Sequence, residues 1–194
     1  PKPKYTLDPN RAISWSQKSS FDWDPEQWFE STILGKRQTS REMTFGSEID
    51  KKFQDDPNFL PDLPRYGKLQ HKMEAKLSKF KIVGVPDDLC LDTFKLFDLK
   101  TGKKAWDQAR AEATGQLKMY LLLVWLNYKI PPEKFTCGIH WLPTYERGDF
   151  SIALIEPVVP QTFYVKITMR EVLEFGVDLE KTVVKMKAYA EAHT

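Results

Sequence analysis

The order of patterned segments predicts an α/β protein with a central mixed β-sheet flanked by α-helices. Three observations carry that expectation. Helix-type spacing early in the chain gives way to strand-like sequence over roughly 70–100. A long, mostly apolar helical stretch, "KKAWDQARAEATGQLKMYLLLVWLNY", follows at 103–128. More strand-like segments then precede an amphipathic C-terminal stretch. Helices, strands, a buried helix and strands again pack best as layers around one sheet. At 194 residues the chain can bury a real core, and one domain over 1–194 with an N-terminal helical segment is the expected organisation.

The elements follow in order. The stretch 14–35, "SWSQKSSFDWDPEQWFESTILG", predicts a helix in two pieces, because Asp24-Pro25 is an N-cap and first-turn pair and Gly35 a stop. A second helix is expected over about 41–54, with Phe45, Ile49 and Phe53 four apart on one face. Pro57, Pro61 and Pro64 make 55–67 an irregular loop. The 103–128 stretch is apolar nearly all round in its second half, so it should be buried on more than one side, and Pro131-Pro132 ends it. Strands are expected near 134–142, 150–158 and 162–167. A last helix starts at about Thr168, where "TMRE" has capping-box spacing.

Composition narrows the function classes. The net charge of +2, from 29 basic and 27 acidic residues, is too balanced to argue for nucleic acid by itself. Cys90 and Cys137 are too few for a disulfide framework or a four-cysteine metal site, which favours a reducing compartment. The opening "PKPKYTLDPN" lacks a signal-peptide apolar stretch, and "MYLLLVWL" is too short to span a membrane. The expectation is an intracellular protein, in a cell or encoded by something that infects one. His71, His140 and His193 fall in no catalytic spacing.

"GVPDDLCLDTFKLFDLKTGK", 84–103, carries four aspartates and three lysines in strand-like sequence. A tight turn at Asp92-Thr93 pairs residues whose numbers sum to 185: Leu91 with Phe94, Leu89 with Leu96, Asp87 with Asp98. Directly opposed side chains have Cβ atoms roughly 4.5–5.5 Å apart, and like charges there repel. Lys100 shares the Asp98 face, whereas Asp88 points away, opposite Phe97. Leu96, Phe97 and Leu99 make both faces of the second strand apolar, which argues for a central position. Facing carboxylates in a central strand pair need a cation, and all-oxygen ligation points to magnesium, manganese or calcium.

These residues resemble the core of the PD-(D/E)XK nuclease superfamily. "GVPD", ten residues, then "DLK" is similar to its central motif. "QLKMY" resembles the Q-x-x-x-Y motif of its RecB-like exonuclease branch. "FGSEID" resembles that branch's G-x-x-x-H segment, with aspartate in place of histidine. The resemblance implies a restriction-endonuclease-like core and a magnesium- or manganese-dependent nuclease acting on DNA. It implies Asp87, Asp98 and Lys100 as catalytic residues. Asp50, Asp87, Asp98 and the Leu99 main-chain carbonyl would hold the metal, with Gln116 and Tyr120 near the lysine or the DNA. Cys90 and Cys137 do not reproduce the four cysteines of cluster-bearing relatives, so no iron–sulfur cluster is expected.

The substituted ligand can be argued from helical angles. At about 100° per residue, Glu48 falls beside Arg41 and Lys52 on a charged side, whereas Asp50 falls beside Gly46 and Met43 at the margin of the apolar stripe. Asp50 is therefore the expected ligand. A carboxylate there should favour magnesium over manganese, and Gly46 would let other backbone approach. Lys103 and Lys104 in "TGKK" would open the long helix and offer a phosphate its backbone N–H groups. The aromatics of 14–29 could stack on bases, although core packing is the plainer expectation. Two alternatives stay open: a DNA-binding or assembly module without catalysis, and a junction- or RNA-directed endonuclease on the same fold.

Overall fold

The structure is a computed structural model that describes residues 11–36 and 39–193. Helix α1 (Trp15–Trp23) begins with a reciprocal capping box between Ser14 and Gln17. Asp24 ends it and caps α2 (Pro25–Trp28), as the Asp-Pro pair predicts. The chain runs on as a π-helical turn, Phe29–Ile33, and Gly35 stops it at φ 70°. Ser40 caps α3 (Arg41–Asp55), which buries Ile49 and Phe53. The proline-rich loop that follows is gathered by Arg65, whose guanidinium donates to the carbonyls of Phe53, Asp56, Pro57 and Phe59.

The strands are β1 (Lys68–Leu69), β2 (Met73–Leu77), β3 (Phe80–Gly84), β4 (Asp88–Cys90), β5 (Lys95–Gly102), β6 (Thr136–Glu146), β7 (Ile152–Leu154) and β8 (Gln161–Val165). β2 and β3 form a hairpin of their own. The other six make one sheet in the order β1-β4-β5-β6-β7, with β8 also paired to β6. β4 runs antiparallel to β5, and β5 parallel to β6, so the sheet is mixed and β5 is central, as both its apolar faces require.

Two elements differ from the sequence reading: the strand expected near 150–158 forms only over Ile152–Leu154, and the long helix is broken. The 103–128 stretch is not one helix. β5 runs to Gly102, residues 103–107 are irregular, α4 (Gln108–Ala113) is capped by Asp107, and α5 (Gly115–Tyr128) is capped by Thr114. Asp107 and Thr114 take extended backbone, and each side chain accepts from the turn it begins, which competes with a continuous helix. Gly115 sits where any side chain would run into the Trp15 ring.

α5 is buried as its composition requires. Leu117, Leu121, Leu122 and Leu123 pack between the sheet, the β2–β3 hairpin and α6 (Met169–Ala192), which starts at the Thr168–Glu171 capping box. Fully burying one such side chain contributes about 1.5–3 kcal/mol. A smaller cluster seats α3 on the opposite face of the sheet: Ile49, Phe53, Leu60 and Leu63 pack on Leu99 of β5 and Leu142 of β6. Among the described residues, no helix is long and apolar enough to cross a membrane.

Candidate active site

The hairpin has the predicted register: Asp88 pairs with Phe97 and Leu89 with Leu96. Its turn does not. Leu91–Phe94 form a four-residue turn with Phe94 at φ 54°, so Leu91 and Phe94 lie outside the ladder. Asp-Thr lacks the two left-handed positions that a two-residue turn demands, and the wider turn needs only one. At the other end the ladder stops at Asp88. Asp87 therefore lies just outside β4, where its Oδ2 accepts the Leu99 N–H at 2.6 Å and its Oδ1 the side-chain amide of Gln70.

The two neighbouring acids have separate jobs. Asp88 is buried on the far side, and its carboxylate accepts the backbone N–H groups of Tyr66 (2.6 Å) and Gly67 (2.9 Å). It fastens the end of the proline-rich loop to β4. Asp98 is 1% exposed on the α5 side. Its Oδ1 accepts Gln116 Nε2 at 2.9 Å and lies 3.3 Å from the Tyr120 hydroxyl. Its Oδ2 lies 2.6 Å from Lys100 Nζ but has no hydrogen bond of good angle. The Tyr120 hydroxyl also receives the Gln116 amide and lies 3.1 Å from the Val85 carbonyl. The Tyr120 ring fills core, and its hydroxyl steadies Asp98.

Electrostatics tie α3 to this group. Burial first, then the charge of Asp98, pushes the Asp50 carboxyl up to about 6, and Lys100 opposes the change. Asp87 is held well above its ordinary value by burial, then by Asp98 and Asp50, with the Leu99 N–H and Lys100 pulling the other way. Burial works to lower the Lys100 ammonium, but Asp98, Asp87 and Asp50 outweigh it and hold its pKa above the ordinary value. Asp50, Asp87, Asp98 and Lys100 thus sit in one another's fields. Glu48 is exposed, on the charged side of α3. Gly46 is approached by the Thr101 hydroxyl, 3.4 Å from where a Cβ would stand, rather than by backbone.

The donor set suits a hard cation by its chemistry, since three carboxylates and the main chain between Asp98 and Lys100 offer oxygen only. Asp98 Oδ2 is buried with Lys100 as its ion-pair partner and no hydrogen bond of good angle, which leaves it capacity for a further cationic partner. Among the described residues, no three His, Cys, Asp or Glu side chains stand ready-grouped as a metal cage. Lys100 occupies the electropositive position beside Asp98.

Lys103 and Lys104 do not open a helix. The helix start at α4 belongs to Asp107, so the expected phosphate site in its backbone N–H groups is not formed. Lys103 is ion-paired with Glu146 on the neighbouring strand, and Lys104 is exposed. His140 is structural: it stacks on Phe97 at 4.5 Å, bonds Thr162, and burial pushes it down to about 4. Two contributors escape the sequence pattern. Gln70, at φ 51°, holds Asp87, and the Val85 carbonyl meets Tyr120. A left-handed non-glycine residue and a main-chain acceptor leave no spacing to read.

No family model and no curated protein matches the sequence. Solved structures do match. The chain is similar to a candidate exonuclease from Eubacterium rectale at 13% identity and TM-score 0.57, over 94% of this chain and 82% of that one. A phage-related exonuclease from Haemophilus somnus matches at 12% identity and TM-score 0.48, over 92% and 79%. The first shares the fold. That architecture, a mixed central sheet flanked by helices, is consistent with a restriction-endonuclease-like core.

Proposed function

We propose that the chain is a metal-dependent nuclease that hydrolyses phosphodiester bonds in DNA, acting as an exonuclease on linear molecules. The observation that carries this reading is that Asp50, Asp87, Asp98 and Lys100 lie in one another's fields beside the central strand β5. The order of the PD-(D/E)XK-like motifs supports it. So does the likeness to the Eubacterium rectale protein for the exonuclease element.

Asp50, Asp87, Asp98 and the Leu99 carbonyl would hold magnesium or manganese. Bound there, such a cation supplies Lewis acidity toward a phosphoryl oxygen and lowers the pKa of water. The chain's own groups do the rest. Gln116 and Tyr120 fix the rotamer of Asp98. Gln70 and the Leu99 N–H fix Asp87. Lys100, 30% exposed, keeps its proton and can turn from Asp98 toward an incoming phosphate to stabilise charge developing on it. Tyr120 stays protonated, pushed up by burial and then by Asp98, so its O–H remains a donor while its oxygen accepts the Gln116 amide.

Linear and circular DNA, single- and double-stranded, incubated with magnesium, manganese or excess chelator, test the reading. Linear DNA should shorten with either metal and stay intact in chelator, and calcium should support little turnover. Cleavage that survives chelation would overturn the metal mechanism. Cleavage of closed circles as fast as linear DNA would overturn the exonuclease assignment.

A further inference from the structure

Most aromatic side chains of α1, α2 and the following turn pack inward. Trp28 is fully buried, Phe21 and Phe29 nearly so, and Trp15 lies against Phe175. Trp23 does not follow them. It ends α1 with 87% of its surface exposed, more than any other large apolar side chain among the described residues. A lone exposed apolar residue is ordinary. What singles out Trp23 is its place.

Trp23 stands on the lip of a cleft of about 640 Å³ whose wall also includes Lys100, Gln116 and Tyr120. The α1 side contributes Ser16, Ser19 and Ser20, and Lys100 is the one lining side chain with a formal charge among the described residues. Acids flank Trp23 in sequence, but Asp22 is paired with Lys18 at 2.6 Å, and Asp24 accepts the Gln27 N–H at 2.9 Å. Their charge would repel a phosphate at the lip and leave a neutral base unaffected. The lip therefore suits a flat uncharged π-face, and the Lys100 end suits an anion. A nucleotide carries both.

We propose that Trp23 is a stacking platform for an unpaired nucleobase of the strand whose phosphate lies at Lys100. This rests on the nuclease reading above. A base within a duplex has both faces covered by its neighbours, so an indole can stack only on one that is single-stranded or frayed. The platform would select unpaired ends of any sequence, because every base has a π-face.

The test titrates wild type, Trp23→Ala and Trp23→Tyr, in chelator, with a short single-stranded DNA. The same strand is then used with one abasic nucleotide walked along its length. Trp23→Ala should bind about 5- to 150-fold more weakly, the scale of losing one base–aromatic stack. Trp23→Tyr should stay close to wild type. One abasic position should reproduce the loss in wild type and add nothing to Trp23→Ala. Melting temperatures should match, since the side chain is exposed. Equal affinity of wild type and Trp23→Ala, with wild type still cleaving in magnesium, would overturn the platform and leave the nuclease standing. Failure of wild type to bind or cleave DNA in magnesium or manganese would overturn both. A change in oligomeric state without a change in DNA affinity would make Trp23 a protein contact and overturn the platform alone.

Discussion

Asp50→Asn should make the metal-free protein more stable. In the folded chain Asp50 titrates at about 6 rather than the ordinary 3.8, through burial and the charge of Asp98. A carboxyl with a raised folded pKa opposes folding once it is ionised. The opposition is complete above about 6 and disappears as pH falls toward 3.8, where the unfolded chain also takes up its proton. That difference corresponds to about 3 kcal/mol, at about 1.36 kcal/mol per tenfold change in proton affinity. Asp50 is half-buried, and solvent screening brings the figure to about 1–2 kcal/mol. In a domain of this size about 1 kcal/mol moves Tm by about 2–4 °C. Thermal melts in chelator at about pH 8 should place Asp50→Asn a few degrees above wild type, and the gap should shrink to about half by about pH 5 and close as pH nears the ordinary carboxyl value of 3.8. Magnesium should raise the wild-type Tm and raise that of Asp50→Asn much less, because a ligand stabilises only the state that binds it. If Asp50→Asn melts below wild type in chelator and the gap ignores pH, Asp50 is outside the field of Asp98 and the proposed site loses its α3 member.

Other substitutions separate the roles. Lys100→Ala should keep its fold and lose at least about 10²-fold in cleavage rate, the scale of removing one charge-stabilising group; near-normal turnover would make Lys100 a surface ion pair. Asp50→Ala should abolish cleavage while Glu48→Ala keeps most of it, and the reverse would undo the angular argument. Gln70→Ala should weaken magnesium affinity about 10- to 100-fold by freeing Asp87, as loss of an orienting contact does elsewhere, which metal titrations of cleavage would read. Asp88→Ala should lower stability by about 1–3 kcal/mol, because two buried N–H groups lose their acceptor, and leave the magnesium dependence of cleavage unchanged.

The sequence makes the register of the acidic hairpin legible because a period of two is rigid: once Leu89 and Leu96 must share the core, Asp88 is committed to the other face. It places Asp50, rather than Glu48, beside the buried stripe of α3 for the parallel reason, a period of 3.6. The break before α5 is harder to see, since Asp107 and Thr114 are ordinary helix residues until a cap is chosen, and the Trp15 ring that packs on Gly115 comes from far along the chain. The supports of the site, Gln70 and the Val85 carbonyl, depend on how loops fold back, and no local pattern encodes that. Asp98→Asn shows the practical difference. Repulsion alone suggests that it relieves strain, yet the structure gives Asp98 an ion pair with Lys100 and two donors from α5, so Asp50 is the acid whose neutralisation should stabilise.

β5 has unequal neighbours in time. Its partner on one side, β4, is joined to it by a four-residue turn. Its partner on the other, β6, begins 41 residues later, where Lys95 meets Thr136. A hairpin forms in roughly 1–10 μs, whereas distant parallel pairing must first close a long loop and is slow. Asp87 and Asp98 are therefore neighbours early in folding. Asp50 joins them only when α3 docks on Leu99 and Leu142, and Leu142 lies on β6. A newly made chain thus holds two of its three acids together while the third waits for the slowest contact in the sheet. The proposed hydrolysis, which would need all three, would be silent until folding is finished.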